Sequence, residues 1–161
     1  MFINWLKRDS VKSNLKTILL MLAIVFAVTQ YQQRDMNVGP AHQLENIDYI
    51  NGPTLVYFWG SWCSICSTTS PSVSALAQEN DYNIVSIALS SGDDEEVSHY
   101  LKESGYTFKA INDDNGLISK SWGVAVTPSI FIIDSKGNIR FTSTGMTSLW
   151  GMKLRLWLAT F

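Results

Sequence analysis

Thr54-Leu55-Val56-Tyr57-Phe58-Trp59-Gly60-Ser61-Trp62-Cys63-Ser64-Ile65-Cys66 is the stretch on which the reading of this chain turns. Its first six residues form a continuous apolar run rich in β-branched and aromatic side chains, the pattern of a central strand buried on both faces. The run passes through Gly60-Ser61 into a Cys-x-x-Cys. Beyond it Ile65, Val73, Leu76 and Ala77 recur at helical spacing to about Asn80, with Pro71 inside as a kink. A strand is therefore expected to deliver Cys63 to the first turn of a helix. There, unpaired backbone N–H groups and the positive end of the helix dipole stabilise a thiolate. Cysteines so placed have pKa values lowered to about 3.5–7.5 from roughly 8.5. The thiolate is the nucleophile of disulfide exchange, so Cys63 is the expected attacking residue and Cys66, one helical turn on, the expected resolving one.

The chain has 161 residues and only these two cysteines. A structural disulfide gains most by closing a long loop, and closing a two-residue loop constrains the unfolded chain very little. With 46% hydrophobic residues, six Trp and seven Phe, one ordinary domain has material enough for its core without such a staple. The pair therefore reads as chemical. Half a zinc site looks the same, but zinc takes four ligands and the chain adds only His42, in a polar stretch, and His99. No metal and no cofactor is expected, with a copper- or zinc-binding module using the two thiolates kept as the alternative. A net charge of −2 without any basic run gives no footprint for nucleic acid.

Residues Thr17 to Thr29 are uncharged and mostly apolar, with Lys7, Arg8, Lys12 and Lys16 before them. That asymmetry predicts a cytoplasmic residue 1–16 segment and export of everything after the span. Leu15 to Tyr31 gives seventeen residues, the low end of what crosses a bilayer. A cleavable signal peptide is the competing reading, but Ala27-Val28-Thr29, its nearest cleavage site, ends on an unsuitable Thr. We therefore expect a single-pass anchor over 17–31, a polar tether over 32–43 and one domain over 44–161.

Within that domain a short element is expected near Leu44–Ile50, then the strand above and its helix. Strands follow at Ile84–Leu89, Thr107–Ile111, Pro128–Ile133 and Ile139–Ser143, the last two joined by the turn Ser135-Lys136-Gly137-Asn138. Helices are expected from a Ser91/Asp94 capping box to about Gly105, over Leu117–Trp122, and from about Ser148 to the end. This β-α-β-α-β-α-β-β-α order implies an α/β fold, a mixed central sheet with helices on both faces. Asp93-Asp94-Glu95-Glu96 reads as compensation for its own helix dipole, and Asp113-Asp114-Asn115-Gly116 as a turn and cap instead of a calcium loop. The last helix carries more apolar residues than one buried stripe needs.

Phe58-Trp59-Gly60-Ser61-Trp62-Cys63-Ser64-Ile65-Cys66, Pro71, and Thr127-Pro128 ahead of an apolar strand together resemble the thioredoxin superfamily. The Phe-Trp-x-x-Trp-Cys form and the extra strand–helix unit between the two motifs resemble its membrane-anchored TlpA/ResA/CcmG branch. Thr69-Ser70-Pro71 and the tail from Thr147 to Trp157 are most similar to suppressor-of-copper-sensitivity D (ScsD) proteins, a link to copper tolerance. The resemblance covers residues 44–161 and the single-anchor layout. It implies a thioredoxin-like fold and a cis Thr127–Pro128 bond opposite the cysteines. It further implies that Trp62, Thr127 and Pro128 bind substrate, with Thr127 offering backbone hydrogen bonds to an extended segment. Trp59 and Trp62 would shield the thiolate, although core packing alone accounts for Trp59.

Two positions depart from the pattern. Tyr57 stands where thioredoxins bury an Asp, and Thr69 where ResA-type proteins often place a Glu; both acids would manage the proton of the resolving thiol.

The function expected is disulfide exchange with protein cysteines on the periplasmic side of a bacterial inner membrane. The direction expected is reduction, sustained by a membrane electron-donor protein. A disulfide-forming oxidant and a docking scaffold are the alternatives; a peroxidase is disfavoured because Gly60, not Thr, lies three residues before Cys63.

Overall fold

The computed structural model describes residues 16–24, 41, 52–79 and 81–161. The chain divides into two compact units, residues 1–34 and 35–161. In the first, residues 16–24 are helical with exposed apolar side chains. The remainder of the expected anchor, most of the tether and the expected element at 44–50 lie outside the described residues. Among the described residues no helix is long and apolar enough to cross a membrane.

The second unit is built on five strands: β1 (Thr54–Trp59), β2 (Asn83–Leu89), β3 (Ala110–Asp113), β4 (Ser129–Ile133) and β5 (Ile139–Thr144). They lie in the order β3-β2-β1-β4-β5. β1 runs parallel to β2 and antiparallel to β4; β2 and β3 are parallel, and β4 and β5 antiparallel. The sheet is therefore mixed, and the apolar run forms its central strand, with all six residues buried. Alternation along β1 splits the core in two. Leu55, Tyr57 and Trp59 pack with Val73 and Leu76 of α1 (Ser64–Gln78), Val97 of α2 (Asp94–Glu103), and Met152 and Leu156 of α4 (Leu149–Leu158). Val56 and Phe58 pack with Phe131, Ile133 and Trp122, the last of these just after α3 (Leu117–Ser121).

Two expectations shift. The α2 capping box is Asp93 with Glu96, not Ser91 with Asp94. The Asp93 carboxylate accepts from the N–H groups of Glu95 and Glu96, while the Glu96 carboxylate accepts from the Asp93 N–H. Ser91 is engaged elsewhere, as described below. The third strand begins at Ala110 instead of Thr107, because Thr107 is held by α1: its N–H donates to the Ser74 hydroxyl and its own hydroxyl to the Ser74 carbonyl. Pairing with β2 starts only at Ser86 opposite Ala110. As expected, Asp113 caps α3, accepting from the N–H groups of Ile118 and Ser119.

Candidate active site

β1 ends at Trp59, and four residues later the chain enters α1 with Cys63 as its N-cap. The sulfur of Cys63 accepts a hydrogen bond from the Cys66 N–H at 3.2 Å, so a cysteine does the work usually given to Ser or Asp. Cys63 and Cys66 are joined by a disulfide. Their exposure is unequal: Cys63 retains 8% and Cys66 only 1%. Cys63 is thus the less enclosed of the two, and the helix terminus favours its anion once the bond opens.

The loop that carries the pair is fixed from two sides. Trp62 is 60% exposed, yet its indole N–H donates to the Leu89 carbonyl at 3.1 Å. Its ring lies so close over Gly60 that an added Cβ there would meet indole atoms at 2.6 Å. Gly60 is thus required by close approach. The Ser61 N–H donates to the Ser91 hydroxyl, which in turn donates to the same Leu89 carbonyl. The end of β2 therefore anchors the Trp-Cys loop, and Trp62 is presented as a pinned apolar plate beside Cys63. Trp59 points the other way: fully buried, it hydrogen-bonds Ser86, stacks on Tyr100 and packs in the same core as both cysteines.

The Thr127–Pro128 bond is cis. The β1–β4 pairing, with Phe58 opposite Ser129, sets Pro128 at the end of β1 from which the cysteine loop departs. Pro128 is buried and Thr127 half-buried, while the Pro128 carbonyl accepts from the Gly145 N–H and the Ser129 hydroxyl donates to Val126. The register thus brings both sequence motifs to one end of the sheet.

Behind Cys66 the surroundings are hydroxyls. Tyr57 shares a 2.9 Å hydrogen bond with Ser70 and donates to the Cys66 carbonyl at 3.4 Å. Burial pushes its phenol far above the ordinary tyrosine range, with the Ser70 hydrogen bond only partly opposing this. Tyr57 is therefore a donor at any working pH. Thr69, one turn after Cys66 on the same buried face of α1, has a hydroxyl without a hydrogen-bond partner among the described residues. His99 is exposed and pairs with Glu103; His42 lies outside the described residues. Ser91 was expected as a helix cap and Ser70 only as part of Thr69-Ser70-Pro71; their roles as tertiary anchors, like that of Ser86, could not be read beforehand, since a serine carries no pattern that separates an anchor from a solvated side chain.

Comparison with known proteins accords with this geometry. The model of the family Redoxin matches residues 37–148. A thioredoxin-like protein of Haemophilus influenzae is 45% identical over 76% of this chain and 72% of its own length. The thiol:disulfide interchange protein DsbE of Xylella fastidiosa is 29% identical over 66% of this chain, a match that spans 54% of the relative's own length. Among solved structures, a secreted Mycobacterium tuberculosis disulfide oxidoreductase superposes with a TM-score of 0.59 at 24% identity, covering 66% of this chain and 81% of that one, a likeness of fold. The chain belongs to the redoxin family, among the thioredoxin-like relatives of the thiol:disulfide interchange proteins.

Proposed function

We propose that this protein is a membrane-anchored thiol–disulfide oxidoreductase that exchanges disulfides with protein cysteines on the periplasmic side of a bacterial inner membrane. The observation that carries the reading is the asymmetry of the disulfide: Cys63, the less buried of the pair, caps a helix N-terminus and is backed by a fully enclosed Cys66. A partner's disulfide is attacked by the Cys63 thiolate, giving a mixed disulfide and one released partner thiolate. Cys66 then attacks Cys63 Sγ, closing the intramolecular disulfide and releasing the second partner thiolate. Trp62, Thr127 and Pro128 dock the extended segment that carries the partner cysteine, with main-chain contacts giving affinity.

The reducing direction follows the anchored branch that the chain resembles, and requires a membrane protein that returns electrons to Cys63–Cys66. Membrane anchoring through residues 17–31 is supported by the apolar run and by the positive charge preceding it. The tail and the Thr69-Ser70-Pro71 segment support kinship with ScsD proteins, and with it a role in copper tolerance.

Trapping tests exchange and anchoring together. With Cys66→Ser in the full chain, the mixed disulfide has no resolving thiol. The expected result is reductant-sensitive adducts on Cys63 that stay with carbonate-washed membranes and vanish in the Cys63→Ser/Cys66→Ser double variant. Absence of adducts would overturn the exchange reading; adducts extracted by carbonate would overturn the anchor alone.

A further inference from the structure

We propose that Thr69 is a redox-dependent hydrogen-bond donor to the Cys66 sulfur, stabilising the dithiol form over the disulfide. The inference rests on the exchange reading above. Thr69 is 1% exposed, and its Oγ1 has no partner among the described residues. Buried hydroxyls are nearly always paired, so an unpaired one calls for a second state in which its partner exists. A threonine within a helix ordinarily bonds back to the carbonyl three or four residues before it. The Thr69 hydroxyl bonds neither the Ile65 carbonyl four residues before it nor the Cys66 carbonyl three before it, and the latter accepts from the Tyr57 hydroxyl.

Side chains in a helix lean toward its N-terminus, so residue 69 covers the turn occupied by residue 66, with their Cβ atoms about 5–6 Å apart. Both residues lie on the buried face of α1. In the disulfide, Cys66 Sγ is bonded to Cys63 Sγ and is a poor acceptor. Reduction by a dithiol changes that. The donor's thiolate attacks Cys63 Sγ, the Sγ–Sγ bond breaks, and its electron pair goes to Cys66 Sγ as a thiolate. The donor's second thiol loses its proton and displaces Cys63, leaving the donor as a disulfide; Cys66 can then take up that proton. At the moment Cys66 leaves, its sulfur becomes a charged acceptor, and Thr69, three residues on along the same buried face of α1, carries an unpaired O–H that can turn to it.

The test is the equilibrium of the full-length protein with glutathione, for wild type, Thr69→Val and Thr69→Ser. Valine matches threonine in shape and lacks the hydroxyl. The expected result is a shift of about tenfold toward the disulfide in Thr69→Val, equivalent to a potential lower by about 30 mV. A higher Cys66 thiol pKa should accompany it, with Thr69→Ser close to wild type in both. Oxidised Thr69→Val should unfold no more readily than oxidised wild type, since only an unpaired hydroxyl is lost. Identical equilibria and Cys66 pKa values in wild type and Thr69→Val would overturn the role of Thr69 and leave exchange standing. A wild-type pair that does not equilibrate with glutathione would overturn the exchange reading beneath it.

Discussion

Tyr57 illustrates how one side chain can replace another in position without replacing its chemistry. It occupies the strand position where a buried carboxylate would accept a proton, but burial holds its phenol protonated. It fixes the Cys66 carbonyl and Ser70 instead. That Tyr57 and Thr69 depart from the resembled pattern was legible from the sequence; that Tyr57 engages Ser70 and the Cys66 carbonyl was not, because those contacts join β1 to α1. Asp134 shows the opposite case, a carboxylate held low. Burial works to raise its pKa, but the N–H groups of Asn138 and Lys136 and the Arg140 guanidinium outweigh it. A carboxyl depressed on folding contributes stability that is present above its unfolded value of about 3.9 and is lost as pH falls through the folded value. We therefore expect urea midpoints of the wild type to fall on acidification below about pH 4, and those of Asp134→Asn to be lower at neutral pH and flatter across that window.

At the scale of elements, the strand–loop–helix unit around Cys63 was fully legible, because a continuous apolar run, a Cys-x-x-Cys and a helical repeat agree with one another. The α2 start was not. Ser91-x-x-Asp94 and Asp93-x-x-Glu96 both suit a cap, and the choice is made by a contact thirty residues distant in sequence, where Ser91 receives the Ser61 N–H. Likewise Thr107 has the β propensity of a strand, but Ser74 claims its hydrogen bonds. Tertiary partners decided both boundaries. The cap that formed makes a direct prediction. Asp93→Ala removes two hydrogen bonds to α2 and should destabilise the protein by about 1 kcal/mol in denaturant unfolding. Because Ser61 is held by Ser91 and not by Asp93, the glutathione equilibrium of the cysteine pair should be unchanged.

For the whole molecule, the mixed sheet with β1 at its centre is what joins the two motifs. Residues 54–66 and 127–133 are far apart in sequence, and antiparallel pairing of β1 with β4 sets them side by side at one sheet end. A mixed sheet with helices on both faces was readable from element order; the strand order and the placement of Pro128 at the end of β1 needed the register. We propose that this juxtaposition serves exchange through Cys63. The most direct measurement is the rate at which the full-length protein accelerates reduction of insulin disulfides by dithiothreitol. Wild type is expected to accelerate it at a rate proportional to protein concentration, falling to the uncatalysed rate in Cys63→Ser. Insulin reduction no faster with wild type than with dithiothreitol alone, or equally fast with Cys63→Ser, would contradict exchange through Cys63.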